Sequence, residues 1–249
     1  MNWLLLRGLA RDARHWEKFP EIFEQRKPGT KTHVLDLPGF GTERDQKVPL
    51  SVKATTTNLR NRWLSLEETT DGPWGILSIS FGGMIAMDWL SRYPSDFQTG
   101  VIINSSSSNT SPPHRRLSPF GMKSFAKIAK SKNAREKEGH ILNFNSNIAR
   151  IEDVGLHDRW TQMAEDQPLS SNNALVQLSA ALRFRAPKAL PIPTLFISSQ
   201  QDKLTHPRCT WELAHRFKAP VVFHDQAGHD IPLDAPDWLA TEIHRWCKV

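Results

Sequence analysis

The chain has 249 residues, 39% hydrophobic and 23% charged, the composition of one large soluble globular domain with room for a substantial core. Its 32 Lys and Arg outnumber its 26 Asp and Glu for a formal charge of +6, which suits an acidic partner. No basic zipper, zinc-ligand spacing or aromatic-interleaved basic stripe accompanies that excess, so no nucleic-acid partner is expected.

The cysteines, Cys209 and Cys247, stand far apart in no metal-ligand spacing, and no run of about 18 apolar residues occurs. The first residues are too short and wrongly flanked for a signal peptide. A cytoplasmic protein with free thiols, no metal and no membrane span is expected.

In chain order, the apolar run 3–6, closed by Arg7-Gly8, predicts a buried strand. A loop over 9–16 leads to Trp16, Phe19, Ile22 and Phe23 at helical spacing, stopped by Lys27-Pro28-Gly29. Residues 31–35 read as a second strand, ended by the turn Asp36-Leu37-Pro38-Gly39-Phe40-Gly41. Loop follows over 42–50 and a helix over 52–66. After Asp71-Gly72-Pro73 comes the stretch on which the rest depends: an apolar run 74–79, then Ser80-Phe81-Gly82-Gly83, then Met84, Ile85, Met87, Trp89 and Leu90 at helical spacing. That is a strand, a tight turn and a helix. Tyr93-Pro94 stops the helix, and 100–104 form a β-branched strand.

The serine-rich stretch 105–111 and Pro112-Pro113 mark a departure from the sheet. Residues 112–187 hold no convincing strand, and helical stretches are expected at 120–138, 141–150, 156–164 and 174–183. The alternation resumes with a strand at 193–198, a helix at 207–217, a strand at 219–224 and a last helix at 237–247. The expected class is therefore α/β: about six mainly parallel strands with helices on both faces, a core from 1–111 and 188–249, and 112–187 inserted as a helical cap.

A serine at a strand–turn–helix junction is held with its hydroxyl clear of the sheet, beside N–H groups that receive an oxyanion, which makes Ser80 the candidate nucleophile. Ser78 occupies the first glycine position of Gly-x-Ser-x-Gly and Gly82 the second, and a Ser/Gly turn without chemistry has similar letters. The hydroxyl needs a base, and the base needs an orienting group. Asp202 follows strand 193–198 and His229 follows strand 219–224, both in loops at the sheet edge that also holds Ser80. Singly, Asp202 also reads as a cap for the helix near Pro207, and His229 as an ordinary loop histidine. Jointly, in this order, they read as a Ser-Asp-His triad. Asp225, Asp230 and Asp234 lie beside His229 in sequence, whereas the orienting carboxylate approaches from a neighbouring loop. The backbone N–H groups of Leu9, made accessible by Gly8, and of Phe81 would form the oxyanion hole.

These motifs together resemble the α/β-hydrolase superfamily over the whole chain except the insertion. In that family the sheet has eight strands with the first antiparallel, and here the first hairpin looks absent. The likeness implies a serine carboxylesterase that hydrolyses a carboxylic ester through an acyl-enzyme, acts on a small-molecule substrate and needs no cofactor. Within the superfamily the chain is similar to small bacterial carboxylesterases, including the pimeloyl-acyl-carrier-protein methyl ester esterases of biotin synthesis. Related synthases of menaquinone synthesis typically carry Arg where this chain has Met84. A lyase or synthase of that type, or a ligand-binding protein of the same fold, is the alternative. Arg7 stands where relatives usually have His, a cation that either alters the oxyanion loop or meets a substrate carboxylate. Residues 114–137 carry Arg115, Arg116, Lys123, Lys127, Lys130, Lys132, Arg135 and Lys137 against Glu136, with Phe120, Phe125, Ile128 and Ala129 among them. This reads as a basic amphipathic helix, either a solvated face or, through Lys123, Lys127 and Lys130, a dock for an acidic acyl carrier protein.

Overall fold

The structure is a computed structural model that describes residues 1–247; the last two residues of the expected core segment 188–249 lie outside the described residues. Six strands, β1 (Asn2–Leu6), β2 (Lys31–Val34), β3 (Trp74–Ile79), β4 (Thr99–Ile103), β5 (Thr194–Ser199) and β6 (Val221–His224), form one parallel sheet in the order β2-β1-β3-β4-β5-β6. The helices of the first half are α1 (Phe19–Arg26), α2 (Val52–Glu67) and α3 (Phe81–Arg92). Between β4 and β5 come α4 (Pro113–Arg116), α5 (Pro119–Lys130), α6 (Ala134–Asn145), α7 (Ala149–Glu152), α8 (Leu156–Asp166) and α9 (Ser171–Arg183), with no strand among them. The chain ends through α10 (Arg208–Phe217), α11 (Ile231–Asp234) and α12 (Pro236–Trp246).

The central strands are buried at every position because both sheet faces are covered, the usual state of a parallel sheet. Side chains alternate with period two. Leu4, Leu6, Ile76, Ile102 and Phe196 pack with Leu59, Trp63, Ile85 and Leu213 of α2, α3 and α10. Trp3, Leu5, Leu77, Val101 and Ile197 pack on the other face with Phe19, Phe23, Leu239 and Ile243 of α1 and α12. The chain runs outward from β1 to β2, then returns to the far side of β1 to lay down β3, β4, β5 and β6. Connections therefore diverge from the C-terminal ends of β1 and β3, and a crevice opens where they part. Gly8 and Leu9 follow β1, and Ser80 follows β3, so topology alone brings them together.

The single helix expected over 120–138 is corrected to two. Asn133 leaves helical geometry and accepts the Glu136 N–H at 2.8 Å, starting α6 afresh, while Ser131 to Asn133 break the run. The expectation at 141–150 likewise divides, since α6 ends at Asn145 and α7 begins at Ala149. Ile141, Leu142, Phe144, Leu156 and Trp160 form a small core of their own, against which Leu204 and Leu233 from the sheet side pack. No helix among the described residues is long and apolar enough to cross a membrane.

Candidate active site

Ser80 sits at the turn between β3 and α3 with φ 58° and ψ −116°, a strained conformation for a residue with a Cβ. Its surroundings enforce it. The Ser80 N–H donates to Ile103 O at 2.8 Å, and its carbonyl accepts from the Gly83 N–H at 3.0 Å and from Ser105 Oγ at 2.9 Å. The first turn of α3 passes so close to β1 that a Cβ on Gly82 would lie 2.5 Å from Leu6 O and 2.6 Å from Arg7 O. Only glycine fits there. Ser78, in place of the motif's first glycine, is fully buried, and its hydroxyl donates to Val101 O at 3.1 Å, so the extra polar atom is satisfied.

Leu9 and Phe81 both line the cavity described below, together with Ser80. Neither of their N–H groups has an acceptor among the described residues, and that of Phe81, at the start of α3, has no intrahelical acceptor. A Cβ on Gly8 would come within 3.1 Å of Ser80 Cβ, so this glycine permits the approach of the two loops. The loop is tethered by Gln177 of α9, whose Oε1 accepts from the Ala10 N–H at 2.9 Å, a contact the sequence did not signal.

His229 is buried, and its Nδ1 lies 2.6 Å from Asp202 Oδ2. Asp202 Oδ1 accepts the N–H groups of Leu204 at 2.7 Å and Thr205 at 2.9 Å. The carboxylate therefore braces its own turn and the imidazole, and leaves the α10 N-terminus alone. With Nδ1–H donated to Asp202, Nε2 carries the lone pair, and this buried atom has no hydrogen-bond partner among the described residues. Asn104, itself at φ 45°, holds the histidine loop, donating from Nδ2 to His229 O at 2.7 Å and accepting the Ser199 N–H at 2.9 Å. Asp234 accepts the N–H groups of Gly228 at 2.7 Å and Asn147 at 2.8 Å, which joins that loop to the segment after α6.

Arg7, expected either to alter the oxyanion loop or to meet a substrate carboxylate, directly follows β1 and lines the cavity. Its guanidinium is buried and forked onto Asp230, with Nη1 to Oδ1 at 3.2 Å and Nη2 bonded to Oδ2, and it stacks over Trp16 at 4.8 Å. The ion pair thereby fixes the end of β1 to the histidine loop. Arg11 follows the same pattern, pairing with buried Glu138 of α6 at 3.0 Å and lying over Trp160 of α8 at 4.9 Å. Arg11 Nη1 also meets His15 Nε2 at 2.9 Å, and since a guanidinium only donates, Nε2 accepts and Nδ1–H faces Asp12 Oδ1 at 3.1 Å. Burial, together with the Arg11 charge, lowers the His15 pKa. For Asp12, burial pushes upward, but hydrogen bonds from His15 and Arg14 outweigh it and hold the carboxyl well below the usual range.

Of the expected basic helix, Lys123, Lys127 and Lys130 are exposed on α5. Arg115 pairs with Glu212 and Arg135 with Asp158. Arg116 is buried rather than on the surface. A cavity of about 430 Å³ is lined by Ser80, His229, Leu9 and Met84 and by Phe125, Ile128 and Leu178 of α5 and α9. A strained serine, two unbonded amides and a basic imidazole nitrogen thus meet in one mainly apolar space, the components of acyl transfer.

A family model described as the alpha/beta hydrolase family matches residues 3–242. No curated protein sequence matches the chain. Among solved structures the chain is similar to BpoC of Mycobacterium tuberculosis H37Rv, provisionally a non-heme bromoperoxidase, at 15% identity and a TM-score of 0.77 over 99% of this chain and 91% of that one. It is also similar to the esterase RhEst1 from Rhodococcus sp. ECU1013, at 17% identity and a TM-score of 0.76 over 100% and 90%. For a thermophilic esterase from Thermogutta terrifontis the values are 18% identity and a TM-score of 0.72 over 100% and 89%. At these identities the likeness is one of fold.

Proposed function

The chain belongs to the alpha/beta hydrolase family, and from that premise we propose that it is a serine carboxylesterase with Ser80, His229 and Asp202 as its triad. In this reading Ser80 Oγ attacks the carbonyl carbon of a carboxylic ester while His229 Nε2 takes the hydroxyl proton. The oxyanion of the tetrahedral intermediate is received by the Leu9 and Phe81 N–H groups. Collapse breaks the ester C–O bond, and the alcohol leaves with the proton held by His229. Water then attacks the acyl-enzyme by the same route, releasing the acid and restoring Ser80. Asp202 keeps the proton on Nδ1 and offsets the imidazolium charge.

The observation that carries the reading is the 2.6 Å pairing of His229 Nδ1 with Asp202, which leaves Nε2 basic and unpartnered in a cavity that Ser80 also lines. The test is hydrolysis of nitrophenyl esters from acetate to long acyl chains by the wild type and Ser80→Ala. Turnover is expected to fall at least about a thousandfold in the variant with its fold unchanged, and a serine-reactive fluorophosphonate is expected to label the wild type alone. Undiminished turnover by Ser80→Ala would remove Ser80 as nucleophile. Neither turnover nor labelling would favour the alternatives, lyase or synthase chemistry or ligand binding.

In a second reading the substrate is carrier-bound, and an acidic acyl carrier docks on the outer face of α5, where Lys123, Lys127 and Lys130 are exposed and form no ion pair among the described residues. The helix's other face contributes Phe125 and Ile128 to the cavity.

A further inference from the structure

The cavity carries more positive charge than its own carboxylates balance. Three arginines line it, of which Arg7 is matched by Asp230 and Arg11 by Glu138. The third, Arg116, is 8% exposed and has no carboxylate partner among the described residues. Its Nη1 donates to Leu182 O at 2.7 Å, its Nη2 to Ala181 O at 2.6 Å and its Nε to Ser106 Oγ at 3.4 Å. Those contacts use three of the five N–H bonds of the guanidinium.

The two carbonyls close the C-terminus of α9, and the partial negative charge there orients the group. Neutral oxygens do not cancel a unit charge, however, and a buried arginine is ordinarily paired because its desolvation is costly. Burial pulls the Arg116 pKa below the usual arginine value, with Cys209 opposing. Lys137 of α6, half-buried, lines the same cavity and forms no ion pair among the described residues. The walls of the cavity that these cations share with Ser80 include the apolar side chains of Phe125, Ile128, Ile141 and Leu178.

We propose that Arg116, assisted by Lys137, is a carboxylate-binding site, and that the substrate is an ester with a second, free carboxylate: the half-ester of a dicarboxylic acid. The apolar walls accommodate the methylenes, and the planar guanidinium fork matches the carboxylate. Hydrolysis then releases the dicarboxylic acid and an alcohol; with one carboxyl esterified and the other free, this substrate is not carrier-bound and stands in place of the carrier-docked one. The word ester rests on the serine-esterase reading above, while the carboxylate rests on Arg116 independently.

Two measurements separate these. The first is the ratio of kcat/KM for monomethyl over dimethyl esters of the straight-chain diacids from glutarate to azelate, in the wild type, Arg116→Gln and Arg116→Lys. A charge-assisted hydrogen bond implies a wild-type ratio of roughly ten- to a hundredfold in favour of the half-ester. In Arg116→Gln, which retains amide donors for Ala181 and Leu182, the ratio is expected to approach one, mainly through a raised half-ester KM. Arg116→Lys is expected to keep part of the preference.

The second measurement is the thermal midpoint of Ser80→Ala with each free dicarboxylate, with an alkyl phosphate of matching length, and with the double variant Ser80→Ala/Arg116→Gln. Dicarboxylates are expected to raise the midpoint of the single variant and not of the double one. Should Arg116→Gln fail to fold, Lys137→Gln at its half-buried position takes its place, with a reduced ratio expected. Diester turnover without preference and without stabilisation by dicarboxylates would overturn the carboxylate site and leave the esterase standing. No ester turnover together with Arg116-dependent stabilisation would remove the esterase and keep the site. Stabilisation by the alkyl phosphate alone would reassign the site to a phosphoryl group and overturn the half-ester.

Discussion

Asp202 divides its two oxygens between duties, one to the N–H groups of Leu204 and Thr205 and the other to His229 Nδ1. That division makes Asp202→Asn informative. The amide oxygen still accepts both backbone N–H groups, so the turn survives, but the amide nitrogen then donates to Nδ1 and drives the imidazole proton onto Nε2. The base is thereby removed without displacing an atom. For the proposed triad, kcat is expected to fall by about ten-thousandfold, measured on nitrophenyl esters, with a thermal midpoint close to that of the wild type. Activity within tenfold of the wild type would mean that His229 is not the base. Residue-scale reasoning from sequence reached the pairing of Asp202 with His229 because each lies in the loop that follows a strand. It did not reach the partner of Arg7, Asp230, which is 223 residues away and beside the histidine.

Among the elements, α4, α5 and α6 illustrate what a charge count conceals. Along the chain their basic residues read as one stripe, yet in space they divide into exposed Lys123, Lys127 and Lys130, paired Arg115 and Arg135, and buried Arg116. A signal for the break was available, since Asn133 followed three residues later by Glu136 is a helix-start pattern. Arg116 had no such signal, because its burial depends on α9 supplying two carbonyls. Charge reversal of Lys123, Lys127 and Lys130 to Glu tests the docking face. Carrier-bound acyl substrates are expected to be hydrolysed at least about tenfold more slowly, with their rate falling steeply between low and physiological salt in the wild type. Simple esters are expected to be unaffected, and an equal slowing of both would end the docking idea.

For the molecule as a whole, buried charge links the sheet to the helices above it. Arg11 with Glu138 and the Asp234 cluster cross to the inserted helices, while Arg7 with Asp230 ties together two loops at the sheet edge. His15 belongs to this seam, and its lowered pKa has a defined sign. The folded state holds the neutral imidazole, so below the ordinary histidine pKa of about 6.5 the unfolded chain binds the proton more readily and stability falls with pH. Protonation would also set Nε2–H against the donor Arg11. The thermal midpoint is expected to drop between pH 7 and pH 5, and to drop less in His15→Asn; an equal slope in both would remove His15 as the cause.

By itself the sequence determined the strands, their alternation with helices, and the loops that bear Ser80, Asp202 and His229, because apolar period and turn residues are local properties and a parallel sheet sends every such loop to one edge. Tertiary structure alone decided which charges are cancelled. Pairing depends on distance between elements remote in the chain, and so only the folded molecule separates the balanced Arg7 and Arg11 from the unbalanced Arg116 that lines the same cavity as the candidate nucleophile.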